Sequence, residues 1–179
     1  AFGAVLPANS AVSVFGGGLA RDCYELVRDD QPLTESMKVC NLALEQERMS
    51  RRDRAATLVN RGIVYMRARN FDRALGDYQR SLNTYPDLPG AHINLGAAYY
   101  GMGEYEAAMR ELNLGLNSDG EDPEVLSIGY YNRALTHEKL GDVTSAYYDF
   151  RAALEAVPDF ELAQLQLERF TVTTVDSSE

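Results

Sequence analysis

This chain is poor in the residues from which reactive sites are usually built. It has two histidines and two cysteines in 179 residues. No serine, cysteine or carboxylate stands with a histidine in a nucleophilic or acid–base arrangement, and Gly16-Gly17-Gly18 lacks both a preceding strand and a following Lys-Ser/Thr, so it does not read as a phosphate loop. Two sulfurs with no nearby third ligand do not make a zinc site. The acidic stretch Asp119–Glu124 lacks the alternating oxygen ligands and closing glutamate of a calcium loop, and reads as solvated. No catalytic residue, metal or cofactor is therefore expected. No apolar run reaches the roughly 18–20 residues needed to span a bilayer as a helix.

Charge is unevenly placed. Residues 1–88 carry 12 Lys and Arg against 11 Asp and Glu, whereas residues 89–179 carry 5 against 16. Arg48 to Arg80 contains nine arginines. Solvated helix faces, with arginine stems lying on apolar neighbours, account for this pattern. A net charge of −10 repels phosphate, and no basic groove with interleaved aromatics appears, so nucleic acid is not expected as a partner.

What the chain does contain is a 34-residue echo. With Ala55–Leu88 set above Pro89–Asp122, Leu58 falls over His92, Gly62 over Gly96, Tyr65 over Tyr99 and Ala74 over Ala108. A third copy, Ser127–Phe160, continues the columns through Tyr130, Ala134, Ala146, Phe150 and Ala153 and closes on Pro158. Period and pattern resemble the tetratricopeptide repeat, with small residues where two helices touch and bulky ones between. The resemblance implies an all-α, right-handed α-solenoid of helix-turn-helix repeats at about 17–50, 55–88, 89–122 and 127–160. FELAQLQLERF, residues 160–170, reads as a capping helix over the last open face. Residues 1–18 are expected to be an apolar, extended tail, residues 19–170 the solenoid, and residues 171–179 a fraying end. The first repeat is degenerate and four residues further from the second than the period allows, a surplus that would add a turn to the next helix.

The start of the chain, AFGAVLPANSAVSVFGGGLA, is uncharged and begins with Ala. It reads as the start of a processed mature chain, or of a trimmed one, rather than as an intact signal peptide. Internal alignment puts Cys23 in the column of Arg61, Leu95 and Arg133, and Cys40 in that of Tyr78, Leu112 and Phe150. These columns face each other across a helix hairpin, so a disulfide is expected; two buried apolar cysteines, or two reduced ones in a cytosolic protein, are the alternatives. With the uncharged start, the pair makes the chain resemble the exported bacterial branch of the family, periplasmic or secreted, with the cytoplasm as the alternative.

Arg61 has Asp77 sixteen residues later, and Arg133 has Asp149 at the same interval, while the third repeat holds Leu95 and Glu111 in those columns. The aspartate appears where the arginine does, which points to a structural ion pair between the helices of a repeat. Asn60, Asn94 and Asn132 share one column. In proteins of this type the first helices line a concave face, and the resemblance implies that such asparagines hold the backbone of an extended peptide, an amide being donor and acceptor at once. The other reading makes them consensus residues bridging neighbouring helices. Met66, Tyr100 and Tyr131, on a second stripe, are expected to be exposed in that groove. The expected function is non-catalytic binding of a protein or peptide partner in the bacterial envelope. The alternative is an oligomerisation module whose groove is filled by its own or a neighbour's tail, the short Gly16–Gly18 linker favouring the neighbour's.

Overall fold

The computed structural model describes residues 8–117 and 122–171, and these form nine α-helices and no strand. They are α1 (Gly18–Arg28), α2 (Leu33–Gln46), α3 (Arg51–Arg67), α4 (Phe71–Thr84), α5 (Pro89–Met102), α6 (Tyr105–Leu116), α7 (Pro123–Leu140), α8 (Val143–Ala156) and α9 (Glu161–Leu167). Each odd-numbered helix up to α7 packs on the even one that follows it, giving four hairpins. Neighbouring hairpins are joined by contacts of α3, α5 and α7 with both the helix just before them and the first helix of the preceding hairpin. The first helices α1, α3, α5 and α7 thus form a continuous inner layer, and the molecule is a helical-repeat solenoid.

Local chemistry sets the helix ends. Ser50, Asn70, Asp122 and Asp142 each accept a hydrogen bond from a backbone N–H in the first turn of α3, α4, α7 and α8, satisfying amides that have no partner within the helix. Gly103 and Gly141 end α5 and α7 with φ of 83° and 86°, a left-handed conformation that costs glycine nothing. Extra residues before the second and fourth repeats lengthen inner helices. α3 has 17 residues and α7 has 18, against 14 for α5. Pro123 and Glu124 of the acidic stretch belong to α7, and residues 118–121 lie outside the described residues. The expected fraying end also falls outside them from residue 172 onward.

The inner helices are enclosed on most sides. α5 is buried almost all round, including Ile93, Asn94, Leu95, Ala97, Ala98 and Tyr100, as a helix with no single apolar stripe must be. The capping helix is shorter than expected, Glu161–Leu167 instead of 160–170. Its flanking rings do much of the covering: Phe160 packs against Tyr131 at 5.5 Å, and Phe170 against Tyr147 and Phe150 at 5.6 and 5.9 Å. Leu162 and Leu165 remain exposed.

Cys23 and Cys40 are joined by a disulfide between α1 and α2. Closing a loop of 17 residues contributes about 3 kcal/mol on the loop-entropy estimate, in the repeat with the weakest consensus. The arginine pairs form a larger network than the sequence pattern suggests. Arg61 donates to both carboxylate oxygens of Asp77 at 2.7 Å and, through Nη1, to Asn41 at 2.9 Å. Arg133 repeats this with Asp149, at 2.7 and 2.8 Å, and Asn113 at 3.0 Å. Each network links the second helix of one repeat to both helices of the next. In the third repeat, His92 meets Glu111 at 2.8 Å instead.

Candidate functional site

The inner layer is not bare. Residues 8–17 run across it as an extended segment, from α7 back to α3, opposite to the order of the repeats. Ala8 N–H donates to Asn132 Oδ1 at 2.9 Å, and Asn132 Nδ2 donates to the Ala8 carbonyl at 2.8 Å. Ser10 exchanges the same two bonds with Asn94, at 3.2 and 2.8 Å, and Val12 with Asn60, at 2.8 and 2.9 Å. In an extended chain the N–H and C=O of one residue point to the same edge, and alternate residues to opposite edges. Three asparagines one repeat apart therefore meet residues 8, 10 and 12. Each amide copies the double bond that a neighbouring β-strand would make, and every asparagine in the set is fully buried.

The segment is then latched near the start of α3. Phe15 N–H donates to Asp53 Oδ1 at 2.9 Å, while Asp53 Oδ2 accepts from the Ser50 hydroxyl at 2.8 Å. Asp53 thus serves the helix cap and the tail together. Arg52 donates to the Ser13 carbonyl at 3.1 Å, and its guanidinium lies 4.0 Å over the Phe15 ring. Arg21 of α1 donates to the Gly16 and Val14 carbonyls, and Glu47 accepts from Ala20 N–H. Val12 and Val14 are 5% and 2% exposed and belong to the core. Gly90 makes room for the first of these, since a Cβ there would stand 2.7 Å from Val12 Cγ2.

Two sequence expectations are corrected here. Met66, Tyr100 and Tyr131 do not line an exposed trough; they are 8%, 7% and 1% exposed. Tyr131 packs against Phe150 and Phe160, and Tyr100 against Tyr105, because each inner helix is enclosed by its partner helix and the next repeat. Burial pushes the hydroxyls of both tyrosines up to about 12. The second correction concerns whose groove the tail enters: it lies on its own chain. Gly16–Gly18 does not have to bridge the distance, because the tail passes α3 first and an extended chain then gains about 3.3 Å per residue across α5 and α7. Residues 1–7 of the expected groove segment lie outside the described residues.

Sequence reasoning missed Asp53, Arg52, Glu47 and Gly90. Ser50 and Asp53 carried a readable signal, a hydroxyl cap followed three residues later by an acid. Asn41 and Asn113 were also readable, each standing twenty residues before an arginine. No group of three or more His, Cys, Asp or Glu among the described residues could hold a metal, and no described helix is long and apolar enough to cross a membrane.

The comparisons agree with this architecture. Residues 65–128 match one family model of the tetratricopeptide repeat and residues 129–160 match a second. No curated protein matches the sequence. Among solved structures, the chain is similar to the first repeat domain of Spaghetti (RPAP3) bound to an HSP90 peptide, with 22% identity, 64% of this chain and 88% of that one covered, and a TM-score of 0.56. It is also similar to MamA from Desulfovibrio magneticus RS-1, with 15% identity, 84% and 82% covered and a TM-score of 0.60. A third likeness is to BtubC from P. vanneervenii, with 20% identity, 90% and 67% covered and a TM-score of 0.61. At these identities the likeness is one of fold. With its repeat columns, its layered helices and matches running from residue 65 to residue 160, the chain belongs to the tetratricopeptide repeat family.

Proposed function

We propose that this protein is a non-catalytic scaffold that holds an extended peptide segment against its inner helices, and that residues 8–15 are a resident occupant which a partner's segment can replace. The observation that carries this reading is the set of three asparagine clamps on alternate residues. They bind only main-chain groups, so the recognition is indifferent to side-chain identity at the bonding edge. The related RPAP3 domain, seen with an HSP90 peptide, supports peptide capture by this fold.

The burial of Val12 and Val14 and the fit at Gly90 favour a second reading, in which the tail is a permanent floor of the solenoid. The Cys23–Cys40 disulfide supports an oxidising compartment such as the bacterial envelope.

A labelled synthetic peptide with the sequence of residues 8–15 tests exchange. The full chain carrying Ser10→Pro, whose own tail has lost its central inward donor, should bind the peptide. Adding Asn94→Ala should weaken that binding at least tenfold. Absence of binding to the Ser10→Pro chain would leave the permanent floor as the correct reading.

A further inference from the structure

The asparagines satisfy one edge of the tail and leave the other open. The N–H and C=O groups of Asn9 and Ala11, and the N–H of Ser13, carry no hydrogen bond among the described residues, whereas those of Ala8, Ser10 and Val12 are all paired. Along that free edge lies a cavity of about 230 Å³. Tail residues 9–13 form one side, Tyr24 and Val27 of α1 another, and Val125 and Ile128 of α7 a third. The volume falls just short of the ~300–1,000 Å³ typical of drug-sized ligands. Two residues of its lining carry a polar atom buried without a hydrogen bond: Asn9 Oδ1, and Nη1 of Arg67, which lies 3.1 Å from the exposed Asp30 carboxylate while Nη2 of the same guanidinium donates to the Val27 carbonyl at 2.8 Å.

Charge divides across the cavity. Its cations, Arg28, Arg52 and Arg67, come from α1 and α3, and its anions, Asp122 and Glu124, from the start of α7. Each cation already has a partner that a ligand carboxylate would share: Arg28 holds Asp29 at 2.7 and 3.1 Å, Arg52 donates to the Ser13 carbonyl, and Arg67 pairs with Asp30. The tail runs from α7 towards α3. A strand laid parallel to it would therefore begin beside the carboxylates and end beside the arginines.

We propose that the seated tail is itself a binding edge, and that a short extended peptide with free termini, of about two or three residues, lies in this cavity parallel to residues 9–13. Its main chain pairs with Asn9 and Ala11, its ammonium group faces Asp122 and Glu124, and its carboxylate faces Arg28 and Arg67. Small or apolar side chains suit walls made by Val27, Val125 and Ile128. Occupancy needs the tail in place and does not depend on whether another segment can displace it.

Trialanine is a suitable probe, titrated into the full chain by calorimetry and by amide NMR. Saturable binding is expected, with the Ala11 amide signal shifting more than that of Ser10. N-acetyl-trialanine amide, which has the same backbone and no terminal charge, should bind at least tenfold more weakly. Ala11→Pro removes one outward donor while leaving the three inward ones, and should also weaken trialanine at least tenfold; Arg67→Gln should weaken trialanine but not the blocked peptide. No binding at 10 mM, equal binding of the two peptides, or an unmoved Ala11 amide would overturn the proposal. The amide readout decides the matter on the unmodified chain if a variant fails to fold. The exchange reading has its own failure signature, loss of peptide binding to the Ser10→Pro chain.

Discussion

Asn94 holds both main-chain groups of Ser10, accepting from its N–H at 3.2 Å and donating to its carbonyl at 2.8 Å, while its Nδ2 also donates to the Gly90 carbonyl at 2.7 Å. The bond to Gly90, one turn earlier in α5, fixes the amide plane before the tail arrives. Asn94 is fully buried beneath the seated tail, and the Ser10 N–H is what satisfies its amide oxygen there.

Amide hydrogen exchange should therefore alternate along the tail. The amides of Ala8, Ser10 and Val12 are expected to exchange at least tenfold more slowly than those of Asn9 and Ala11. Uniform exchange from residue 8 to residue 13 would show that the segment leaves the inner helices as a unit.

Gly90 and Val12 should be coupled. Gly90→Ala places a Cβ 2.7 Å from Val12 Cγ2 and is expected to destabilise the chain by about 1–3 kcal/mol, the usual range for overpacking. Combining it with Val12→Ala should recover most of the strain. A denaturant double-mutant cycle measures this, and additivity of the two changes would mean that the residues do not touch.

Arg61→Leu and Asp77→Ala should each cost roughly 3–5 kcal/mol, because each strands a charged partner at a helix interface. The guanidinium is held above its ordinary pKa by Asp77 despite opposing desolvation. Together the two changes should cost clearly less than their sum. Thermal unfolding of the four-member cycle gives the interaction term.

Alkali should unfold the protein before arginine titrates. Desolvation raises the hydroxyl of Tyr78 well above its usual value, and burial pushes Tyr100 and Tyr131 up to about 12. A pKa raised on folding stabilises the protonated form. That stability is complete below about pH 10 and is lost as pH rises towards 12. Stability measured across this window should fall, and Tyr100→Phe should flatten the fall.

Much of the solenoid was legible through the spacing that resembles a known helical repeat. Repeat columns depend on contacts within about 34 residues, and small residues are required where helices cross, so Gly62 over Gly96 and Ala74 over Ala108 carried the fold. The facing columns of Cys23 and Cys40, and the shared variation of Arg61 with Asp77 and Arg133 with Asp149, were local in the same sense. Burial of Met66, Tyr100 and Tyr131 was not legible. Helical spacing places a side chain on a face, but whether that face is covered depends on elements distant in sequence, such as Phe160 over Tyr131.

The sequence by itself determined the period and the column that puts Asn60, Asn94 and Asn132 on one side of the inner layer. Only the tertiary structure decided that the tail lies on its own chain, running from α7 to α3, with residues 8, 10 and 12 turned towards the asparagines. The bonds that set this register join positions as much as 124 residues apart and use main-chain groups on the tail side. Every residue carries the same main-chain groups, so no side-chain pattern in AFGAVLPANSAVSVF could announce which of them would be held.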